Sequence, residues 1–234
     1  PKVIDRVEQI TKKGISLVEG DVLNFDQIME VFQQHSIKGI MHFAGCKAVG
    51  ESVQDPLSYY RINVTGSINV LDAMCHSGVD VLIFSSSATI FGDLNANPIS
   101  ESSTFSPKNP YRQTKRFVEE IMADLVASKA NLNLATLRYF NPVGAHQTGL
   151  IGEDPKGIPQ NLMPYLAHVA AGRLSKLEVF GHDYPTKDGT CIRDFIHVSD
   201  IAEIHAIAAN SLFQNPKSDI YNCGYGQGLS LIHI

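Results

Sequence analysis

The sequence predicts an α/β fold built on an open parallel β-sheet with helices packed against it. Between residues 14 and 140, short apolar runs alternate with longer helical segments, which is the sequence form of repeated βαβ units. The run Val79–Phe84 is apolar at nearly every position, as expected for a strand that is covered on both faces. Polar residues follow these apolar runs. In an open parallel sheet, ligands bind at the carboxyl ends of the strands.

Length and charge limit the classes of function. The 234 residues are enough for one to two domains, and 44% of them are hydrophobic. Lys and Arg number 19 against 24 Asp and Glu, so no basic excess favours nucleic acid or an anionic membrane as a partner. No apolar run approaches the roughly 18 residues that a bilayer-spanning helix needs.

The periodicity of the apolar residues assigns the elements in order. Phe25, Ile28, Met29 and Phe32 are at helical spacing, whereas the runs before and after them are typical of strands. The predicted elements are strand Ile15–Val22, helix Phe25–His35, strand Ile37–Ala44, helix Tyr59–Ser77, strand Val79–Phe84, helix Tyr111–Ala127, strand Leu134–Tyr139 and helix Leu162–Ala171.

Composition changes after Asn141, where glycine and proline become frequent up to Pro164. The apolar content of this stretch indicates an ordered second lobe. We therefore expect a first domain over residues 1–141 and a smaller α/β lobe over residues 142–234. The glycine cluster Gly224–Gly228 is interpreted as a turn after a strand of this lobe.

Cysteine and histidine spacing argues against a metal site. The four cysteines lie far apart and form no CxxC pair, and the nine histidines include no HExxH. Reduced, mostly buried thiols are the simpler interpretation, and they favour the cytoplasm.

Tyr111 and Lys115 form a YxxxK pattern on the best-marked helix, which Asn109-Pro110 begins with a cap and a proline at the first position. Their spacing puts the phenol and the ammonium on one helix face, and Tyr111 lies in the first turn, where the helix dipole favours an anion. A phenol that acts as a base at pH 7 needs its pKa lowered by about three units, or about 4 kcal/mol. An exposed Tyr and Lys is the alternative, but Ser87 at a nearby strand end could share a substrate hydroxyl with Tyr111.

With these motifs the sequence resembles the extended short-chain dehydrogenase/reductase family, and within it the nucleotide-sugar 4-epimerases. The resemblance extends to about Gly228 and is carried by Val18–Asp21, His42–Gly45, Lys47–Ser52, Phe84–Thr89, Tyr111–Lys115, Leu137–Ala145, Gly152–Pro155, Asn161–Pro164, Arg193–Val198 and Tyr221–Asn222. It implies a Rossmann-like, doubly wound sheet, NAD as cofactor and reversible interconversion of UDP-galactose and UDP-glucose through oxidation at C4. It also implies a homodimer that packs helices Tyr59–Ser77 and Tyr111–Ala127 together.

Roles follow from the resemblance residue by residue. Tyr111 would accept the proton of the sugar 4-hydroxyl, Ser87 would bridge the two and Lys115 would hold the nicotinamide ribose. The implied NAD-binding residues are Asp21, Val22, Phe43, Ala44, Gly45, Cys46, Lys47, Asn63, Ser87, Tyr111, Lys115 and Phe140. The implied UDP-sugar-binding residues are Ser87, Ala88, Thr89, Tyr111, Asn141, Asn161, Leu162, Glu178, Val179, Phe180 and Arg193.

Two departures from the family pattern modify these expectations. The first βαβ unit with its glycine-rich, phosphate-binding turn is missing, and the residues from Leu229 to Ile234 diverge from the family. We therefore expect the 234 residues to be a fragment that does not bind NAD tightly or turn over substrate alone.

Alternative functions remain open at this point. The 4,6-dehydratases of nucleotide sugars carry an Asp-Glu pair beyond a Thr, where this chain has Ser87-Ala88-Thr89, so elimination would lack its acid and base. Epimerases of UDP-glucuronate or UDP-N-acetylhexosamines fit the same residues. A non-catalytic binder of sugar nucleotides is the alternative from another class, and for Arg193 the alternative is an ion pair with Asp194.

Overall fold

The computed structural model describes residues 2–93, 97–128, 131–155, 157, 159 and 161–233. The α-helices are α1 (Lys2–Thr11), α2 (Phe25–Gln34), α3 (Val49–Gln54), α4 (Pro56–Tyr59), α5 (Gly66–Ser77), α6 (Pro110–Ala127), α7 (Leu162–Ala170) and α8 (Val198–Gln214). The strands are β1 (Ile40–His42), β2 (Val81–Ser87), β3 (Asn133–Tyr139), β4 (Asn141–Val143), β5 (Arg193–His197), β6 (Asp219–Cys223) and β7 (Gly228–Leu229). A π-helical segment covers Tyr60–Thr65, and 3-10 turns cover Ala88–Phe91 and Leu231–His233.

The chain divides into two compact units. The first unit consists of Leu17–Phe140 and Glu203–Cys223, and the second consists of the described residues of 1–16, 141–202 and 224–234. The sequence-based division at residue 141 differs from this one because the chain returns to the first unit for residues 203–223. The cause is β6, which pairs in parallel with β3 rather than with a strand of the second unit.

The first unit contains the parallel sheet, in the order β1-β2-β3-β6. Alternate residues of β2 point to opposite faces. Leu82 and Phe84 pack with α5 and α6 in the main core, whereas Val81 and Ile83 line an apolar cavity together with Phe213 of α8. Helices therefore lie on both faces, and the expected Rossmann-like parallel sheet is confirmed.

The predicted strand Ile15–Val22 is wrong. This segment has no regular structure before the turn that leads into α2, and the side chains of Ile15, Leu17 and Val18 are exposed. In the described part of the chain no strand pairs with it, so its backbone groups have no ladder partners despite an apolar pattern that suits a strand.

The predicted helix Tyr59–Ser77 is helical throughout but not uniform. Six of its residues, Tyr60–Thr65, form the π-helical segment, after which α5 continues to Ser77 and ends on Gly78 in the left-handed conformation. Single π-turns inside α-helices occur frequently at functional sites. The turn Gly224–Gly228 was predicted to follow a strand of the second lobe, but the strand before it, β6, belongs to the main sheet.

The second unit contains a small sheet in the order β4-β5-β7, in which β4 and β5 are parallel and β5 and β7 antiparallel. Helix α7 begins at Leu162, where the helical pattern predicts it. No helix among the described residues is long and apolar enough to span a membrane.

Candidate active site

The carboxyl edge of the sheet brings three of the predicted segments together. The turn Phe43–Lys47 follows β1, the serine run ends β2, and Phe140 follows β3. The parallel register sets Ser87 beside Tyr139, and Tyr139 beside Cys223. This edge is where ligands bind in open α/β sheets.

Helix α6 begins at this edge as its sequence predicts. The Asn109 side chain accepts a hydrogen bond from the Arg112 N–H at 3.0 Å, and Pro110 occupies the first turn. Tyr111 therefore stands in the first helical turn, and Lys115 follows one turn later on the same face.

Ser87 lies close enough to the Tyr111 phenol to act on its pKa through a hydrogen-bonding interaction, the pairing that the sequence analysis anticipated. Burial raises the pKa of the Tyr111 phenol, while the Ser87 bond and the Arg112 charge act to lower it. The net shift in the chain without cofactor is upward, because removing water from a phenolate outweighs the effects of Ser87 and Arg112. The lowering expected from the helix start, Lys115 and a bound nicotinamide cation together stays a prediction.

The Lys115 side chain is held by contacts with β2. Its ammonium donates to the Ser85 carbonyl at 2.7 Å and lies 4.9 Å from the centre of the Phe84 ring. Burial lowers the pKa of Lys115 to about 8, against the opposing effect of Glu119. The side chain is 7% exposed and is fixed by the strand rather than by the phenol.

The segment Ser87-Ala88-Thr89 is compact. Ser87 and Ala88 are each 8% exposed. The Ser87 hydroxyl lies 2.9 Å from the Thr89 hydroxyl and accepts from the Thr89 N–H at 3.3 Å. Ser87 is thus held by its own strand end while it contacts Tyr111.

Asn63 lies in the π-helical segment and is 3% exposed. Its Oδ1 accepts from the Cys46 N–H at 2.7 Å, and its Nδ2 donates to the Cys46 carbonyl and to Thr114 Oγ1, both at 3.0 Å. Its amide therefore binds protein groups rather than being presented to a ligand. Gly45 has φ +155°, and a Cβ on it would lie 2.9 Å from Asn63 Oδ1, so only glycine fits here.

His42 is buried next to this amide, at the end of β1. The Ser67 hydroxyl donates to the Asn63 carbonyl at 2.6 Å, so it accepts from His42 Nε2, which is 2.8 Å away. Burial, with a smaller effect of the Lys115 charge, lowers the pKa of His42 to about 4. The imidazole is therefore neutral at pH 7.

The other expected cofactor residues are more accessible. Asp21 is exposed and accepts from the Leu23 N–H at 2.9 Å, and Val22 is partly buried against Gly66. Phe43 is 57% exposed, and its ring centre lies 4.8 Å from that of His205. Ala44 and Lys47 are exposed, and Phe140 packs against the small cluster that contains Ala88.

A cavity of about 240 Å³ in the second unit brings together four residues from three separate segments. Asn141 lies at the start of β4, Asn161 and Leu162 at the start of α7, and Arg193 at the start of β5. These are the residues that the family resemblance assigned to UDP. Cys191, Met163 and Phe195 line the same cavity.

Arg193 keeps its charge unpaired among the described residues, apart from a hydrogen bond to the neighbouring Ile192 carbonyl at 2.8 Å. Asp194, the alternative partner, instead accepts from the backbone N–H groups of Tyr225 and Gly226 at 3.0 and 2.8 Å. The guanidinium is therefore available for an anion.

The remaining predicted substrate residues, Glu178, Val179 and Phe180, do not line this cavity. All three are exposed, and the Glu178 carboxylate pairs with Lys176 at 2.9 Å. Among the described residues no group of three or more His, Cys, Asp or Glu side chains is placed to hold a metal ion.

Sequence reasoning missed a buried ion pair beneath the site. Arg138 donates to Glu119 at 2.6 Å with exposures of 1% and 5%, and its guanidinium carbon lies 5.0 and 4.9 Å from the ring centres of Phe91 and Phe105. The Ser86 hydroxyl donates to the same carboxylate. The signal was the arginine in β3, a strand without any acidic residue, so a partner for its buried charge had to come from another element.

The chain matches the family model described as the NAD dependent epimerase/dehydratase family over residues 3–224. The UDP-glucose 4-epimerase of Bacillus subtilis is 48% identical over 233 residues, which is 100% of this chain and 69% of that protein. The human UDP-glucose 4-epimerase is 46% identical and is covered to 68% of its length. The chain belongs to the NAD dependent epimerase/dehydratase family.

The chain is also similar in structure to solved UDP-glucose 4-epimerases. The UDP-glucose-4-epimerase of Stenotrophomonas maltophila, with bound NAD and formylated UDP-arabinopyranose, has a TM-score of 0.96 and 46% identity over 98% of this chain and 68% of that one. The UDP-glucose 4-epimerase of Bifidobacterium longum, in complex with NAD+ and UDP, has a TM-score of 0.92 and 43% identity over 99% of this chain and 69% of that one.

Proposed function

We propose that the product of the complete reading frame that encodes this chain catalyses the reversible interconversion of UDP-galactose and UDP-glucose, with NAD as its cofactor. The observation that carries the proposal is the placement of the half-buried Tyr111, which lies one helical turn from Lys115 and close enough to Ser87 for that side chain to act on the phenol. The relatives that match the whole chain at nearly half identity carry this activity in their names.

The residues at the edge of the sheet fit a dinucleotide. Phe43 to Gly45 form an exposed turn at the ends of the strands, and Gly45 offers backbone without a side chain. We assign the adenine to Asp21 and Val22, the middle of the cofactor to Phe43–Lys47, and the nicotinamide part to Lys115 and Phe140. Asn63 supports this surface from below.

Tyr111 is assigned the acid and base role. When bound, NAD supplies hydride transfer at C4 of the sugar. Tyr111 takes the 4-hydroxyl proton, which Ser87 orients, and returns it at the end of the cycle. Since burial raises the Tyr111 pKa in the chain alone, a cation close to the phenol is needed to bring that pKa towards neutrality.

The cavity around Arg193 is assigned to the UDP group. A guanidinium suits bidentate contact with a diphosphate, and the amides of Asn141 and Asn161 add donors and acceptors. By keeping UDP bound, this cavity would let the oxidised sugar rotate and present its opposite face for the hydride that the cofactor would supply. The exposed segment Glu178–Phe180 is assigned to the same substrate.

The decisive experiment uses the product of the complete reading frame that encodes this chain. Incubated with NAD and UDP-galactose, it should form UDP-glucose, measured by a coupled UDP-glucose dehydrogenase assay. The matched variant Tyr111→Phe should bind UDP normally and fail to convert. No conversion by the unsubstituted protein, or unchanged conversion by the variant, would contradict the proposal.

A homodimer is proposed on separate grounds. Val53 of α3 and Leu57 of α4 are 62% and 72% exposed. Such exposure is unusual for apolar side chains of this size, and the two lie next to the helices that the family resemblance places in a dimer interface. Sedimentation of Leu57→Lys against the unsubstituted protein tests this: the variant should sediment as a monomer, and unchanged mass would exclude this surface. The four unpaired cysteines support the cytoplasm as its compartment.

A further inference from the structure

A continuous chain of buried hydrogen bonds joins the turn Phe43–Lys47 to the backbone of Tyr111. The Cys46 N–H donates to Asn63 Oδ1, Asn63 Nδ2 donates to Thr114 Oγ1, and the Thr114 hydroxyl donates to the Tyr111 carbonyl. The three distances are 2.7, 3.0 and 2.7 Å. We call this series the Asn63 bridge.

The bridge and its neighbourhood use both hydrogens and the oxygen of the Asn63 amide. The second hydrogen of Nδ2 donates to the Cys46 carbonyl at 3.0 Å, so Cys46 is held at both backbone groups. Asn63 is 3% exposed and Thr114 is 0% exposed, which leaves no water to replace a lost bond. In such surroundings each unpaired polar atom is costly, and bonds in series strengthen one another.

The local backbone is adapted to this bridge. The π-helical segment Tyr60–Thr65 changes the rotation of the helix at Asn63, and Gly45 leaves room for the amide oxygen. Thr114 sits between Gln113 and Lys115 of α6, so its hydroxyl is fixed by the same helix turn that carries the two proposed catalytic side chains.

We propose that Asn63 and Thr114 are positioning residues that hold the cofactor-lining turn and Tyr111 in one fixed register. Neither needs to touch substrate. The idea rests on the proposed role of Tyr111, but its first measurement does not require activity. Thr114 belongs to no predicted set of site residues, and its function follows from the contacts alone.

The first measurement is amide hydrogen exchange at Cys46 in the chain without cofactor. Thr114→Val keeps the shape but removes the hydroxyl, and should speed exchange at Cys46 about tenfold beyond any global change. Thr114→Ser keeps the hydroxyl and should restore slow exchange. Val118→Ala, one turn along in the core, is the control: it should speed exchange throughout the unit without singling out Cys46.

The second measurement is steady-state epimerisation by the complete protein. Thr114→Val should lower kcat about tenfold and leave KM for UDP-galactose within twofold, while Thr114→Ser keeps kcat. Val118→Ala should keep kcat within twofold at a temperature where it is folded. Equal exchange at Cys46 in the Val and Ser variants, or an unchanged kcat in Thr114→Val, overturns the inference; an inactive unsubstituted protein overturns only the proposed function.

Discussion

The proposed chemical residues and the proposed UDP-binding residues differ in what their side chains already contact. Ser87 and Lys115, in the first unit, are less than a tenth exposed and bonded to protein groups. Arg193 and Asn161, in the second unit, are exposed; among the described residues Arg193 bonds to the neighbouring Ile192 carbonyl and Asn161 Nδ2 donates to Glu153. Burial fixes the protonation state and the orientation of a side chain, and a proton transfer needs both. Exposure leaves polar groups available for a ligand.

If burial separates the two groups of residues, the largest loss of stability should come from a substitution that leaves a buried charge without its partner. Arg138→Met strips Glu119 of its ion pair, and because the carboxylate is buried the free energy of unfolding should fall by about 3–5 kcal/mol in urea denaturation at pH 7. The double variant Arg138→Met/Glu119→Leu, which removes both charges, should recover most of the loss. A single-variant loss below about 1 kcal/mol would mean that the pair is not buried as described.

Tyr111→Phe tests whether chemistry and binding reside in separate residues. Removal of the proposed general base should lower kcat by about 10²–10⁴-fold. UDP affinity, measured by calorimetry, should stay within twofold because no residue of the Arg193 cavity changes. A matched loss of affinity would show that the two groups of residues are not independent.

The buried His42 predicts a pH dependence of stability that an exposed histidine does not give. Its pKa is about 4 in the folded chain and 6.5 in the unfolded one, so the unfolded state binds more protons between these values. Stability should therefore fall as the pH drops from 6.5 to 4, by about 3 kcal/mol. Urea unfolding of His42→Asn should lack this fall.

His76→Asn is the matched control, because His76 is exposed and pairs with Asp72 on the helix surface. The His76→Asn variant should show the same fall in stability between pH 6.5 and 4 as the unsubstituted chain. If His42→Asn and the unsubstituted chain decline in parallel, the acid sensitivity originates elsewhere.

The smallest effect is expected at the exposed site. Arg193→Gln removes one charge-assisted contact, so UDP affinity should fall about tenfold, or about 1.4 kcal/mol. The free energy of unfolding should change by less than about 0.5 kcal/mol, since nothing in the fold depends on the side chain. The exposed Arg173→Gln serves as control, and an equal loss of affinity there would indicate nonspecific attraction of the anion.

Local patterns predicted the parts of the molecule that depend on local physics. The cap Asn109 and the four-residue spacing of Tyr111 and Lys115 were correct because a helix start and a helix face are determined within one turn. The strand predicted at Ile15 failed because a strand also needs a neighbour, which an apolar pattern cannot supply. The pairing of β6 with β3 joins segments about 80 residues apart and leaves no local trace.

The site shows the same division. Spacing along α6 placed Tyr111 and Lys115 on one helix face, but the sign of the Tyr111 pKa shift depends on burial, which only the packed structure reveals. The role of Asn63 in binding the cofactor stays a prediction, and its bonds to Cys46 and Thr114 cross 17 and 51 residues of sequence. Such contacts follow from the fold and not from any motif.

The π-helical segment Tyr60–Thr65 also limits how this protein can be engineered. A designer who seeks thermal stability would shorten the segment by one residue to restore a regular α-helix. That deletion would turn every later side chain of the helix by about 100° relative to those before it. The straightened helix would be the better helix in isolation, but it would displace the turn Phe43–Lys47 relative to Tyr111, the two parts that the Asn63 bridge joins.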